Sequence, residues 1–177
     1  GFFADRVRLA LDRQAQQLIG GDLILVGDQP WPDSFTAEAG QRGLQHAETL
    51  NFPSMVMANG QAQLAEIKAV STTYPLRGQL AITLRPGETG KPTQAGPKPG
   101  EVWLDERLAG ALQSLPGGKV AVGQKELPMG AILTMEPDRG LNFFSLAPRL
   151  MMHLADIAAR GLVQTGSRVR YRLLIAG

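Results

Sequence analysis

The sequence predicts a mixed α/β to α+β fold, and three observations support this class. Short segments with the alternating apolar and polar pattern of strands recur along the 177 residues. Other segments carry apolar residues at the three- and four-residue spacing of a helix face. An Asn59-Gly60 pair stands between two apolar stretches, which is the strongest short-range signal for a β-hairpin.

The first element that the sequence predicts is an amphipathic helix over residues 3–19. Its apolar residues recur on one face, and its charged residues occupy the others. The pair Gly20-Gly21 ends this helix, since glycine commonly follows the last helical turn. No Ser, Thr, Asp or Asn precedes Phe2 as a cap, so we expect the helix to continue from a longer one upstream.

A strand and a short helix are predicted next. The apolar run DLILVGD (22–28) is typical of a buried strand. Pro32 favours the first turn of a helix, and either Asp33 or Ser34 can cap it. Gly40 limits the length of this helix because glycine is a poor helix former.

The middle of the chain is predicted to consist mainly of strands. Two strands flank Asn59-Gly60, with Met55 and Met57 alternating on one side, and a further strand follows at 79–84. Segment 85–100, RPGETGKPTQAGPKPG, is rich in Pro and Gly and has no periodicity. It predicts a long exposed loop or a junction between two subdomains.

The second half begins with a strand at 101–104 and a helix capped by Asp105. The apolar residues of this helix are expected to face the core: Leu108, Ala111, Leu112 and Leu115. A meander of short strands follows and turns at Gly123-Gln124. The stretch beginning at Arg139 fits a strand or a helix equally well, and a short helix is expected near Ala155–Ala159.

Composition excludes several classes of function. The formal net charge is only +2, and no block of five or six Lys or Arg occurs, so no nucleic-acid partner is expected. The chain has no Cys, which excludes disulfides and thiolate metal sites. No apolar run approaches the roughly 18 residues of a membrane-spanning helix.

The search for catalytic chemistry yields no strong motif. The chain has no G-x-S-x-G sequence, and His46 and His153 are its two histidines, each more typical of a surface or structural role. Glu48 and Asp156 could each supply a second metal ligand beside them, but this spacing is a weak signal. GETGKPT (87–93) lacks the residues of a phosphate-binding loop. We therefore expect no catalytic residue, no cofactor and no metal.

Two features remain as candidate contact sites. The last strand alternates apolar residues with Arg168, Arg170 and Arg172, so three guanidinium groups are predicted on one strand face. They fit an anionic lipid head group, a phosphate or an acidic partner, although a solvated face is the simpler interpretation. Phe143 and Phe144 form the second candidate, an apolar surface for a partner or lipid. The methionines expected to lie mostly in the core with them are Met55, Met57, Met151 and Met152.

Several stretches of the sequence resemble a known family. They are GFFADRVRLALDRQAQQLIGGDLIL, the hairpin region with Tyr-Pro-Leu-Arg-Gly (Tyr74 to Gly78), EVWLDERLAGAL, KVAVGQKELPMGAILTMEPD, NFFSLAPRLMMHLADI and RVRYRLLIAG. Together they span the chain and are similar to the first large periplasmic domain of FtsX/MacB-type ABC transporter permeases, closest to the YbbP-like group. YPLRG and FFSLAPRLMM are the stretches that indicate this subgroup.

The resemblance implies a MacB-like periplasmic core domain. Residues 1–20 would form a juxtamembrane stalk helix, and residues 21–177 the core domain. That core would combine a porter-like α/β part with a smaller, mostly β part, joined near residues 85–100. We expect Gly20 and Gly21 to act as a pivot between the stalk and the core.

The resemblance also implies a non-enzymatic role in a bacterial inner-membrane protein, with this domain in the periplasm. A separate cytoplasmic ATPase subunit would drive transmembrane movement, which the stalk would transmit mechanically to the periplasmic domain. The domain would then bind or release a lipid-like, lipoprotein or peptide substrate, or a partner such as a periplasmic esterase or thioesterase. Two alternatives stay open: a stand-alone periplasmic ligand-binding module, and a serine esterase with a dispersed Ser-His pair.

Overall fold

The computed structural model describes residues 22–28, 31–137, 147–160 and 169–176. These residues form ten strands and three helices. In chain order they are β1 (Asp22–Gly27), α1 (Asp33–Gln41), β2 (Gln45–Ala58), β3 (Gln61–Val70), β4 (Leu80–Thr83), β5 (Lys91–Thr93), β6 (Val102–Asp105), α2 (Glu106–Leu112), β7 (Lys119–Val122), β8 (Lys125–Met135), β9 (Arg149–His153), α3 (Leu154–Arg160) and β10 (Arg170–Ala176). The predicted helix over 3–19 lies outside the described residues.

The strands of this part of the chain form one mixed sheet. Its order is β1-β10-β2-β3-β9-β6-β8-β4-β5, and β7 pairs with both β2 and β8. Because β7 connects these two strands, β2, β3, β9, β6, β8 and β7 form a closed ring of hydrogen-bonded neighbours. The β3–β9 and β6–β8 pairs are parallel, whereas the other pairs are antiparallel.

The main hydrophobic core lies on the inner face of this ring. Leu50, Phe52, Val56 and Ile67 of the β2–β3 hairpin contribute to it, together with apolar residues of β6, β7, β8 and β9. Helix α2 packs there through Leu108, Ala109 and Leu112. Each large side chain that is fully buried contributes about 1.5–3 kcal/mol.

Two smaller clusters cover other surfaces of the sheet. On the outer face, one cluster combines buried residues of six strands and of the loop between β3 and β4: Ala47 of β2, Val70 of β3, Tyr74 of the loop, Leu80 of β4, Trp103 of β6, Ala131 and Leu133 of β8, and Met151 of β9. Helix α1 packs on β10, where Phe35 and Ala39 meet Leu173 and Ile175. The sheet is therefore covered on both faces over part of its width.

The β2–β3 hairpin confirms the Asn59-Gly60 signal. Asn59 has φ 53° and Gly60 has φ 75°, as a two-residue turn of the mirror-image type requires. The Asn59 amide also donates to the carbonyl oxygens of Leu112 (3.2 Å) and Gln113 (2.7 Å). The turn thus satisfies carbonyl groups at the end of α2, which joins the hairpin tip to the helix.

Several other local predictions are confirmed. β4 lies within the predicted 79–84 strand, and the turn at Gly123 and Gln124 joins β7 to β8. Asp105 caps α2, because its Oδ1 accepts the backbone N–H of Leu108 at 2.8 Å. The stretch that fitted strand or helix equally well contains β9, which is followed by α3. β9 is buried at every position between β3 and β6, so its apolar run shows no alternation.

Three predictions about faces and caps are wrong. The strand at 22–28 is not buried, because β1 has β10 as its described neighbour and exposes Ile24 and Val26. Helix α1 has Pro32 at its N-cap position, with no side-chain cap from Asp33 or Ser34. In the α2 region, Ala111 faces outwards although it lies within the helix, and Leu115 is exposed because the helix ends at Leu112.

The methionines divide differently from the prediction. Met151 and Met152 are buried, as expected, whereas Met55 and Met57 lie on the exposed face of β2. The buried residue between them is Val56, since the inner face of the ring takes that side of the strand.

The Pro- and Gly-rich segment 85–100 contains a short strand. β5 pairs with β4 in antiparallel register, from Leu80 opposite Thr93 to Ile82 opposite Lys91. The segment therefore adds a strand at one border of the described sheet, and its role as a subdomain junction stays a prediction. No helix among the described residues is long and apolar enough to cross a bilayer.

Candidate functional site

The YPLRG loop, defined as residues Tyr74 to Gly78, leads from β3 towards β4 over the outer face of the sheet. Tyr74 is buried, and its hydroxyl accepts a hydrogen bond from Lys68 Nζ at 2.9 Å. The same ammonium lies 4.7 Å from the centroid of the Tyr74 ring. The Tyr74-Pro75 peptide bond is cis. The loop is thus attached to β3 by a buried cation that contacts its first residue.

Lys68 belongs to a buried ionic cluster with Arg149, Glu66 and Glu136. Its Nζ lies 3.4 Å from Glu136 Oε2, which also accepts a short hydrogen bond from a terminal nitrogen of Arg149. The other terminal nitrogen of Arg149 donates to Glu66 Oε2 at 2.7 Å. The side chains of Lys68 and Arg149 are each 1% exposed, so both cations are neutralised away from solvent.

The charge of Arg149 is held in place by these carboxylates. Burial by itself lowers the pKa of Arg149, but the negative charges of Glu136 and Glu66 outweigh it and raise that pKa above its ordinary value. Its backbone N–H also donates to Asp105 Oδ2 at 3.1 Å. Asp105 therefore joins the cap of α2 to the start of β9 with a single carboxylate.

A groove of about 520 Å³ lies at the start of β2, beside the YPLRG loop. Its lining combines amide, imidazole and hydroxyl groups with apolar residues: Gln45, His46, Thr73, Pro75, Leu76, Gly78 and Gln94. Thr73 fixes one wall, because its hydroxyl donates to the His46 carbonyl at 2.7 Å. The lining suits a ligand that accepts and donates hydrogen bonds and has an apolar part.

Glu48 lies on β2, two residues after His46 of this groove, and its side chain is on the inner side of the strand. Burial raises the pKa of its carboxyl group; His46 opposes that shift, and Asp33 adds to it. The folded chain therefore holds this proton more tightly than the unfolded chain. Ionisation of Glu48 consequently costs stability as the pH rises from 4.5 through the raised pKa.

Replacement of Glu48 by glutamine is expected to raise the free energy of unfolding at pH 7 by up to about 0.5 kcal/mol, because the partly buried charge is removed. Well below pH 4.5 the Glu48 carboxyl is neutral in both the folded and the unfolded chain, so the stability difference caused by its ionisation should disappear. Urea unfolding at a series of pH values measures the difference. A constant difference at every pH would contradict the titration of Glu48 as its cause.

His46 lines the groove at the start of β2, whereas His153 lies at the end of β9. Both ring nitrogens of His153 are engaged: Nδ1 accepts from the Ala155 N–H at 3.0 Å, and Nε2 lies 2.8 Å from the Thr72 hydroxyl. Asp156, its suggested co-ligand, accepts from the Gly100 N–H at 2.8 Å. These contacts assign both side chains to loop anchoring. The described residues contain no group of three His, Asp or Glu side chains that could hold a metal.

The predicted contact residues are only partly described. Arg170 is exposed on β10, and Arg172 is half-buried two residues further along the same face. Arg170 stands opposite Asn51 of β2, and Arg172 stands opposite Thr49. The remaining candidates lie outside the described residues: Arg168, Phe143, Phe144, Gly20 and Gly21.

Sequence reasoning missed the ionic cluster and the pair Thr49 and Asn51. The available signal was a charged residue inside an apolar strand, as in AEIKAV for Lys68 and APRLMM for Arg149. Such residues are almost never fully buried unless they are paired. The sequence does not identify the carboxylates that pair with these cations, since Glu66, Glu136 and Arg149 come from separate parts of the chain.

Comparison with known proteins gives two kinds of similarity. No protein-family model matches the chain. The ABC transporter permease YbbP of Escherichia coli (strain K12) is 36% identical over 177 residues, which is 100% of this chain and 21% of that protein. The chain therefore spans about a fifth of the length of this relative.

Two solved structures share the fold. The extracellular domain of the ABC-type transporter YknZ from Gram-positive bacteria has a TM-score of 0.56 and 11% identity, over 88% of this chain and 82% of that one. The periplasmic region of MacB from Actinobacillus actinomycetemcomitans has a TM-score of 0.54 and 10% identity, over 91% and 80% of the two chains. Both similarities concern the fold alone.

Proposed function

We propose that the chain is an extracytoplasmic domain of an ABC transporter permease of the MacB type, and that it couples movement driven by a cytoplasmic ATPase to binding or release of a cargo. The cargo would be a lipid-like, lipoprotein or peptide substrate, or a partner protein in the periplasm. The 36% identity to YbbP along the whole chain is the observation that carries this proposal. The relatives are named as transporter components and not as enzymes.

The architecture of the described residues supports a role in transmitting displacement. Six strands close into a ring of hydrogen-bonded neighbours, and α2 packs against its inner face. The ionic cluster and Asp105 connect β3, β9 and the start of α2 by further contacts. Such a densely connected body moves as a unit, so a force applied at one side would displace the groove and the outer face of β2 together.

We further propose that residues 1–20 form a stalk helix and that Gly20 and Gly21 form its pivot. A helix rises about 1.5 Å per residue and transmits axial displacement over its length. Two adjacent glycines give the chain conformational freedom that other residues lack. Arg168, Arg170, Arg172, Phe143 and Phe144 remain the proposed contacts with lipid or with a partner such as an esterase or thioesterase.

Replacement of both Gly20 and Gly21 by alanine is expected to lower cargo-dependent ATPase activity of the full permease several-fold, with the fold unchanged. Alanine favours helix over a flexible junction by about 1 kcal/mol per residue, which stiffens the pivot. The assay compares ATP hydrolysis of the permease with its ATPase subunit in lipid nanodiscs. Gly40→Ala in α1 is the control, because its added methyl group meets nothing within 4 Å. Equal activity of the double variant and this control would contradict the pivot.

A further inference from the structure

The outer face of β2 changes in character along the strand. Side chains at every second position share this face, so Thr49, Asn51, Pro53, Met55 and Met57 follow one another along it. The first two are polar, and the last three are apolar. From Asn51 to Met57 the strand advances about 20 Å. One face of one strand thus has a polar end and an apolar end.

The polar end contains buried groups whose hydrogen bonds are not supplied by the protein. Thr49 and Asn51 are 2% and 3% exposed. Within the described chain, the hydroxyl of Thr49 and both amide atoms of Asn51 make no hydrogen bond. Buried polar groups nearly always have a partner, and leaving one unmade is costly. Two such side chains on one strand face therefore indicate a bound polar group.

The charges around this polar end favour an anion. Arg170 is the cross-strand neighbour of Asn51 on β10, and Lys68 is its neighbour on β3. Side chains of directly opposed residues lie on the same face of a sheet. Lys68 already contacts Tyr74 and Glu136, whereas Arg170 is exposed on the surface. Glu66, the nearest carboxylate along β3, is paired with Arg149 at 2.7 Å.

The apolar end is an exposed strip on the same face. Met55 and Met57 are each 48% exposed, and Leu64, directly opposite Met55 on β3, is 54% exposed. Methionine side chains adapt to flexible apolar partners because they are unbranched and polarizable. The strip begins next to the polar end, with exposed Pro53 between them.

We propose that this face binds an anionic amphiphile with a single aliphatic tail. Its carboxylate or phosphate head group accepts hydrogen bonds from the Asn51 amide, the Thr49 hydroxyl and the Arg170 guanidinium. Its tail covers Met55, Met57 and Leu64. The inference rests on the proposed function, because it names the class of cargo that the domain would bind.

The test measures binding to the full 177-residue chain by calorimetry, below the concentration at which each probe forms micelles. Dodecyl phosphate and dodecanoate have the same tail with a phosphate or a carboxylate head group. Dodecanol lacks the charge, and inorganic phosphate lacks the tail. We expect one of the two anionic probes, or both, to bind at least about tenfold more tightly than dodecanol and than phosphate. Equal binding of dodecanol would overturn the anionic head-group site, and equal binding of phosphate would overturn the role of the tail.

Matched variants locate the site. Asn51→Leu keeps the volume of the side chain and removes both its donor and its acceptor, so it should weaken binding of the anionic probe about tenfold. Arg170→Gln should do the same, whereas Arg107→Gln, at an exposed arginine on α2, should not. The double variant Met55→Ser, Met57→Ser should weaken the binding of the anionic probe and of dodecanol alike. Met135→Ser, at a similarly exposed methionine of β8, should change the binding of neither probe.

The outcomes separate this inference from the proposed function. If all probes bind equally to the β2 variants and to their controls, or if none binds, the amphiphile site on β2 is refuted. The Gly20 and Gly21 experiment is independent of that result, because it measures ATPase coupling in the full permease. Loss of coupling there together with an unaffected β2 face would leave the proposed function standing with a different cargo site.

Discussion

Replacement of Arg149 by methionine is expected to lower the free energy of unfolding by about 3–5 kcal/mol. Arg149 is 1% exposed and contacts two carboxylates, Glu136 and Glu66. Methionine fills similar space but removes the closer cation from the buried Glu136, whose contact with Lys68 at 3.4 Å is retained among the described residues. Breaking a buried ion pair from one side is costly because the other charge stays desolvated. Urea unfolding at pH 7 measures the loss.

The matched control is Arg42→Met on α1. Arg42 donates to Glu38 at 2.9 Å in an i,i+4 pair whose side chains are partly exposed, so its loss should cost only about 0.5 kcal/mol. If the two variants lost similar free energies of unfolding, the ion pairs of Arg149 would contribute no more than an exposed pair does.

The stability contributed by the ion pairs of Arg149 depends on pH with a definite sign. The pKa of Arg149 is raised by Glu136 and Glu66, so its stabilising contribution is complete below the pKa of an unfolded arginine and is lost only as the pH rises through the higher folded pKa. In the native protein this contribution should therefore be constant through the neutral range.

Replacement of Gly78 by alanine is expected to lower the free energy of unfolding by roughly 2–5 kcal/mol. Gly78 has φ +72°, a conformation that costs an L-residue about 1–2 kcal/mol. An added Cβ would also lie 2.6 Å from the Cβ of Pro137, so the loop or the segment after β8 would have to move. Urea unfolding again measures the change.

Gly43→Ala separates the two causes. Gly43 has φ +70°, nearly the same as Gly78, but an added Cβ there meets nothing within 4 Å. Its replacement should cost only the conformational part, about 1–2 kcal/mol. Equal losses at the two glycines would show that the close approach to Pro137 contributes nothing.

These two predictions concern the same region of the molecule. Glu136 belongs to the ionic cluster, and its neighbour Pro137 packs against Gly78 of the YPLRG loop. Tyr74, at the other end of that loop, contacts Lys68 of the cluster. The YPLRG loop is thus held at one end by β3, through Lys68, and at the other end by the segment after β8, through Pro137. A variant that loosens either contact should also alter the groove beside His46.

Local elements were predictable because their determinants lie within a few residues. Asn59 and Gly60 adopt the positive φ angles of a hairpin turn, and Asp105 bonds the backbone three residues ahead. These interactions depend on neighbours in the sequence and not on the rest of the fold. The resemblance to a permease domain likewise followed from contiguous stretches such as YPLRG.

The exposure of each strand face was less predictable. The alternation around Val56 identifies two faces of β2, but it does not say which one becomes the core. Met55 and Met57 are exposed because the ring closed by β7 places its core on the side of Val56. The same limit applies to β1, whose apolar run suits a buried strand although it lies at a border of the described sheet.

The sequence by itself determined the hairpin, the cap of α2, the succession of strands and the family to which they are similar, since each depends on short contiguous patterns. The tertiary structure alone decided that Lys68, Arg149, Glu66 and Glu136 meet, and that Thr49 and Asn51 stand between β10 and β3. The physical reason is that buried charges such as Lys68 and Arg149 pair with residues far away in the chain. Only the folded sheet brings those partners within hydrogen-bonding distance.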